Sequence, residues 1–190
     1  MFATGFSMGA GFHGLMCAQA FILRSLLNSQ GMKRIKLNTR FGELDIDESK
    51  IITFPTGLPG FESCKRWTLF HELDDNGQPV TGVVIHLQSV DDEKLSLPLT
   101  EPNLFGFNYE MVLTDSDMGE LKIEDVGDVL VLMTLYKGEQ QDPASLPALN
   151  IYANLSALIL INIKSRIGMQ KILVGNEFRV DFRTVENLQS

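Results

Sequence analysis

The chain has 190 residues, of which 44% are hydrophobic and 21% charged. This is typical of one globular domain that buries roughly 70% of its unfolded surface, and it excludes a disordered chain. The formal net charge is −8, and removing Arg24, the single charged residue before Met32, leaves −9 for residues 32–190. Such an acidic body repels phosphate backbones, which argues against direct nucleic-acid binding and favours a basic partner, although solvation alone also explains it.

The first 31 residues contain no acidic residue and one basic residue, Arg24. Their apolar run, Leu15–Leu23, is too short for a membrane-spanning helix, which needs about 20 residues. A secretory signal has a positive charge before its apolar run, and none precedes Arg24. We predict that residues 1–31 are an extension outside the fold, with a functional helix or signal as the alternative. Residues 32–190 then form the domain, without membrane contact.

From Met32 onward, short apolar runs alternate with turns, and period two recurs more often than period 3.6. The predicted strands, in chain order, are Ile35–Thr39, Leu44–Ile46, Ile51–Phe54, Trp67–Leu73, Val80–Leu87, Leu95–Leu99, Tyr109–Leu113, Val129–Tyr136, Leu158–Ile163, Met169–Val174 and Phe178–Phe182. Leu121–Val126 is predicted to form one short helical turn. The pattern indicates an all-β fold: a single antiparallel domain with little helix, either a small barrel or a strongly twisted sandwich.

Turn residues separate these runs. Pro55–Gly60 combines prolines, which lack a backbone donor, with glycines, so we expect a loop of fixed shape outside the sheet. Asp74–Gly77 predicts a tight hairpin turn between its flanking strands. Thr114–Asp117 is predicted to be an acidic turn. Asp91–Glu93 is predicted to be an open turn whose carboxyl groups keep ordinary pKa values.

Residues for catalysis or metal binding are sparse. His71 and His86 are predicted on strands on either side of the Asp74–Gly77 turn, where they could come close enough to bind a metal. The neighbouring carboxylate of Glu72 points to the opposite face from His71, because side chains alternate along a strand. We therefore expect exposed strand histidines and no metal site. Ser63 and Cys64 lack the GxSxG pattern of a nucleophile elbow. The chain has two cysteines, Cys17 and Cys64, which are too few for a disulfide framework. This usage is typical of a protein from a reducing compartment. We therefore expect no enzyme and no cofactor.

Three stretches carry a family resemblance. They are Ile51–Glu62 (IITFPTGLPGFE), Leu87–Tyr109 (LQSVDDEKLSLPLTEPNLFGFNY) and Asn154–Gln170 (NLSALILINIKSRIGMQ). In the same order they resemble the signatures of the flagellar assembly factor FliW family. Two departures occur near the third: Leu158 stands where the family usually has Pro, and Tyr152 where Thr is common. A residue with a backbone donor at 158 allows this strand to pair along its whole length.

The resemblance implies a cytoplasmic, non-enzymatic, β-barrel-like protein with two protein partners. One is flagellin, and the other is the carbon storage regulator CsrA, an RNA-binding dimer that blocks flagellin translation. Once flagellin has been exported, the factor binds the regulator allosterically, away from its RNA surface, and relieves the block. An acidic body suits a basic regulator, and an apolar groove would suit the amphipathic terminal helices of flagellin.

Candidate partner-binding residues lie in the loops of the three stretches. They are Leu58, Phe61, Gln88, Asp91, Asp92, Glu93, Asn103, Phe105, Phe107, Tyr109 and Asn154. Packing inside the protein is an equally good explanation for four of them: Leu58, Phe61, Phe105 and Phe107. The alternative function is a small-molecule-binding β-barrel, which requires an interior cavity. The abundance of Phe, Leu, Ile and Val favours a solid interior instead.

Overall fold

The computed structural model describes residues 33–74, 76–105, 107–137, 151–173 and 178–182, with backbone alone at 105, 107–110 and 178–182. The extension predicted at residues 1–31 lies outside the described residues. The strands are β1 (Arg34–Thr39), β2 (Gly42–Asp47), β3 (Ile52–Thr53), β4 (Arg66–Phe70), β5 (Ile85–Ser89), β6 (Ser96–Thr100), β7 (Phe107–Met111), β8 (Val129–Lys137), β9 (Ile151–Asn162), β10 (Ile167–Ile172) and β11 (Phe178–Phe182). The α-helix is α1 (Asp115–Leu121), and short 3-10 turns occupy Glu48–Lys50, Pro102–Phe105 and Val126–Asp128.

Seven strands close a barrel in the order β10-β3-β4-β5-β6-β8-β9. Neighbouring strands are antiparallel except β3 and β10, which run parallel where Thr53 faces Ile167. The hairpin β1–β2 and the antiparallel pair β7–β11 form separate two-stranded sheets. The predicted all-β, antiparallel fold with little helix is confirmed, and of the two architectures proposed the barrel is the one observed.

The barrel interior is occupied by large apolar side chains that alternate along its strands. Phe54 and Trp67 are fully buried there with leucines and isoleucines from β5, β6, β8 and β9. The indole Nε1 of Trp67 donates to the backbone carbonyl of Cys64 at 3.1 Å, so its polar atom is satisfied. This packing favours the solid interior expected from composition over a ligand cavity inside the barrel.

The helix begins earlier than predicted. Thr114 caps it: the Thr114 hydroxyl accepts from the backbone N–H of Asp117, and the Asp117 carboxylate accepts from that of Thr114. This capping box turns the predicted acidic turn into the first turn of α1, which ends with Lys122 at a φ of 53°. The helical turn predicted at 121–126 was therefore wrong in position. Leu121 packs on the outer surface of the barrel, against β8 and β9.

The two strands around the predicted Asp74–Gly77 hairpin are shorter than expected. Strand β4 ends at Phe70 and β5 begins at Ile85, but the predicted turn is present within the connection, where the Gly77 N–H donates to the Asp74 carbonyl and the Val80 N–H to the Glu72 carbonyl. The Asp74 carboxylate does organise a turn, because it accepts from the backbone N–H groups of Asn76 and Gln78. Leu73 and Pro79 form an isolated bridge beside this turn, and the missing N–H of Pro79 is not needed there, because the N–H groups of Asp74 and Val80 make the cross-strand hydrogen bonds.

Pairing between β8 and β9 is irregular. Met133 faces Leu158, but Leu135 faces Ala153, so several β9 residues bulge opposite Thr134. The expectation of pairing along the whole strand was wrong at this point, although Leu158 itself is paired. Among the described residues, no helix is long and apolar enough to cross a bilayer.

Candidate partner-binding surface

The segment Pro55–Phe61, called the Pro/Gly loop below, places its two candidate residues differently. Leu58 is buried in the barrel core, whereas Phe61 is 38% exposed, and a hydrogen bond of 2.7 Å joins the Phe61 N–H to the Leu58 carbonyl. Gly57 has a φ of 78°, and a β-carbon there would lie 2.7 Å from the Cα of Glu62. The Glu62 carboxylate accepts from the Gly60 N–H, which lowers the pKa of Glu62. Leu58 is thus an anchor inside the protein, and Phe61 is the surface residue of the pair.

Asp91 is held in place by β4. Its carboxylate accepts from the backbone N–H groups of Lys65 and Arg66, at 2.7 and 2.8 Å, and pairs with the Arg66 guanidinium at 2.7 Å. Burial opposes ionisation, but these hydrogen bonds and the charge of Arg66 outweigh it, so the pKa of Asp91 is lowered. The expectation of ordinary pKa values in an open turn was therefore wrong for Asp91, because β4 supplies donors that the local sequence does not show.

Gln88 supports the same turn from beneath. Its side chain is completely buried, and its Nε2 donates to the carbonyl oxygens of Ser89, Glu93 and, at 3.4 Å, Asp92. The Ser89 hydroxyl accepts from the N–H groups of Asp91 and Asp92. These contacts leave the side chains of Asp92 and Glu93 exposed. The turn therefore presents two carboxylates on a backbone fixed by Gln88, Ser89 and Asp91.

The structure describes the side chains of two of the remaining candidates, Asn103 and Asn154. Asn103 lies in the turn Pro102–Phe105 and is half-buried, next to Leu104, which is 42% exposed. The backbone at Phe105, Phe107 and Tyr109 is described, while their side chains lie outside the description. Asn154 fixes the β9 bulge, because its Oδ1 accepts from the backbone N–H groups of Ser156 and Ala157.

The two histidines predicted to lie on strands are both enclosed to some degree, and His71 follows the end of β4. His86 is 7% exposed, since Phe41 from the β1–β2 turn covers it with ring centroids 4.4 Å apart. The expectation that it would be exposed was wrong, because that turn lies far from His86 in sequence. Burial and the nearby Arg40 lower the pKa of His86. His71 is half-buried, with its Nδ1 3.0 Å from the Val84 carbonyl oxygen.

A surface cavity of about 400 Å³ lies beside His86. It was not predicted from the sequence. Its apolar walls include Phe41, Val84, Pro98 and Leu135, which come from the β1–β2 turn, the β4–β5 connection, β6 and β8. No sequence signal could have located it, because it depends on how the β1–β2 hairpin folds back over the barrel. Across the described part of the chain, no group of three or more His, Cys, Asp or Glu side chains is placed to hold a metal.

The chain resembles known proteins over most of its length. The family model described as FliW protein matches residues 36–184. The chain belongs to the FliW family. A flagellar assembly factor FliW from Azoarcus sp. (strain BH72) is 39% identical over 134 residues, which cover 70% of this chain and 86% of that protein. A flagellar assembly factor FliW from Thermosipho africanus (strain TCF52B) is 33% identical over 154 residues, or 80% of this chain and 97% of that protein.

The structural comparison agrees. A crystal structure of the flagellar assembly factor FliW matches this FliW-family chain with a TM-score of 0.59 and 30% sequence identity, covering 80% of this chain and 96% of that one. The resemblance carried by the three sequence stretches is therefore confirmed. The names of these relatives describe a role in flagellar assembly and no catalysed reaction.

Proposed function

We propose that this FliW-family chain is a cytoplasmic, non-enzymatic flagellar assembly factor that binds flagellin and antagonises CsrA, coupling flagellin translation to flagellum assembly. The observation that supports this most is the family match over residues 36–184, which spans the closed barrel and all three signatures. Free flagellin occupies the protein, and its export frees the protein to bind the regulator away from the RNA surface. Residues 1–31 take no part in this binding domain.

The charge distribution supports contact with a basic regulator. The sequence carries a net charge of −8, and the turn formed with Gln88 holds Asp92 and Glu93 in solvent on a fixed backbone. Complementary charges at the rim of an interface raise the association rate, and the same charges repel the RNA that the regulator carries. We assign Asp91 the role of fixing this turn, because its carboxylate accepts hydrogen bonds from Lys65 and Arg66.

The Pro/Gly loop supports contact with flagellin. Phe61 is a large apolar side chain with 38% exposure, on a loop whose shape Gly57 and the buried Leu58 fix. An amphipathic helix buries its apolar face against such anchors, and a rigid anchor loses little conformational entropy on binding. We assign Phe61 to the flagellin contact and the pair Asp92 and Glu93 to the regulator contact.

The regulator contact is tested with two charge reversals. Glu93→Lys changes the proposed contact turn, and Glu124→Lys makes the same change in charge at another exposed position. We expect Glu93→Lys to slow CsrA association severalfold more than Glu124→Lys, with a weaker salt dependence, by stopped-flow or biosensor kinetics. Equal slowing would show that only the total charge matters and would refute the assignment to this turn.

The flagellin contact is tested with Phe61→Ser, and Ile172→Ser, which removes a 60%-exposed apolar side chain from β10, is the control. We expect Phe61→Ser to weaken flagellin binding about tenfold, as loss of an anchor residue does, and the control to have little effect. Added flagellin should also release CsrA from the wild-type protein. If the wild-type protein retains neither partner at micromolar concentration, the proposed function is wrong.

A further inference from the structure

The cavity beside His86 has the size and walls of a small-molecule site. Its volume, about 400 Å³, falls within the range of known ligand pockets, which is about 300–1,000 Å³. Phe41, Val84, Pro98 and Leu135 give it an apolar lining, and Ile151, which is 51% exposed, lies at its rim. It lies outside the barrel, so it is unrelated to the packed interior described above.

Ring contacts hold the cavity wall in shape. Phe41 lies 4.4 Å from the His86 ring and 5.4 Å from the Phe70 ring, while Phe70 and His86 stack at 5.2 Å. The guanidinium of Arg40 lies 4.6 Å above the Phe41 ring, which fixes this cation beside the cavity. A ligand would therefore find a preformed wall and would not have to order it.

The polar groups at the cavity favour a negatively charged ligand. Arg40 and Lys137 both line it, and within the described part of the chain neither has a carboxylate at ion-pair distance. Among the described residues that line the cavity, Glu72 is the one acidic residue. The cavity is thus lined by two cations without a described carboxylate partner, in a protein whose net charge is negative.

We propose that this cavity binds a small amphipathic carboxylate, with an apolar body against Phe41, Val84 and Leu135 and its carboxylate on Arg40. Charge-assisted hydrogen bonds from a guanidinium are the strongest that such a site can offer to a carboxylate. The inference goes beyond the proposed assembly function and does not depend on it, since flagellin and CsrA contacts are assigned to other loops.

The test compares two probes of nearly equal shape, naphthalene-2-carboxylate and the neutral naphthalene-2-methanol. Binding to the full chain is measured by titration calorimetry, and amide shifts in a two-dimensional NMR spectrum locate the probe. We expect one-to-one binding with the carboxylate about tenfold tighter, because a hydrogen bond to a charged group contributes on this scale. Amide shifts should concentrate at residues 40–41, 80–86 and 135–137.

Two variants connect the binding to the cavity. Arg40→Gln should reduce carboxylate affinity to that of the alcohol, whereas Lys36→Gln, which removes an exposed cation from the same hairpin, should leave both affinities unchanged. Val84→Phe, which fills the cavity, should weaken both probes. Absence of probe binding, equal affinity for the two probes in the wild type, or an unaltered preference in Arg40→Gln would overturn the proposal.

Discussion

The ring of Phe54 occupies the space where a β-carbon on Gly168 would lie. Its closest atom is 2.4 Å from that position, and Phe54 is completely buried. Phe54 belongs to the first sequence signature and Gly168 to the third, and the parallel pairing of Thr53 with Ile167 brings the two segments together. The glycine is therefore required by packing, since its own φ is not in the left-handed region.

Gly168→Ala is expected to destabilise the barrel by about 1–3 kcal/mol, because Phe54 has to move within a packed core. Gly119→Ala is the control. That position lies in α1, is exposed and has nothing within 4 Å of the new carbon, so alanine should stabilise the protein by up to about 1 kcal/mol. Urea unfolding of both variants measures these free energies. Equal stability of Gly168→Ala and the wild type would contradict the contact.

Asp91→Asn is expected to lower the free energy of unfolding by about 1–3 kcal/mol, because Asp91 accepts three hydrogen bonds from Lys65 and Arg66, one of them from a guanidinium. Asp92→Asn makes the same chemical change one residue further on and should be nearly neutral, since Asp92 is exposed and, among the described residues, its carboxylate accepts from the N–H of Lys94 alone. Chemical denaturation at pH 7 compares the two.

The effect of Asp91 should depend on pH in a defined direction. The folded state lowers the pKa of Asp91 below its ordinary value of 3.8. Its contribution is therefore present above pH 3.8 and is lost as the pH falls through the lower folded value. The stability difference between wild type and Asp91→Asn should persist at pH 5 and shrink towards pH 3. A difference that stayed constant down to pH 3 would show that the charge of Asp91 is unimportant.

The strands could be predicted from the sequence, whereas the contacts of the Asp91–Glu93 turn and the cavity could not. Alternation of apolar residues located the strands, and β8, apolar on both faces, is indeed buried between the core and α1. Asp91 and Gln88 were predicted as surface candidates because most of their partners are backbone groups, which have no residue-specific pattern, and the one side-chain partner, Arg66, lies 25 residues from Asp91. The cavity was missed for a related reason: the contact of Phe41 with His86 joins positions 45 residues apart through hairpin packing.

Lys171 and Asp117 form a buried ion pair at 2.7 Å that joins β10 to α1, with side-chain exposures of 9% and 12%. Burial alone would raise the pKa of Asp117, but hydrogen bonds from Lys171 and Thr114 lower it. Lys171→Met leaves a buried carboxylate without its cation, and we expect a loss of about 3–5 kcal/mol. The double variant Lys171→Met, Asp117→Asn should lose less, because no uncompensated charge remains. Thermal and urea unfolding distinguish the two, and an equally large loss in the double variant would contradict this explanation.

Glu101 should show the opposite pH behaviour from Asp91. Its residue exposure is 7%, and burial of its carboxyl raises the pKa above the ordinary value of 4.5. Folding therefore favours the protonated form, so stability declines as the pH rises from 4.5 through the higher folded value. Glu101→Gln removes this penalty and should be more stable than the wild type at pH 7, on the order of 1 kcal/mol, but not at pH 4. The exposed Glu93→Gln is the control and should show no such change between the two pH values. If Glu101→Gln were less stable than the wild type at pH 7, the carboxylate would have to be held by a favourable partner, and the inference of an unfavourably buried charge would be wrong.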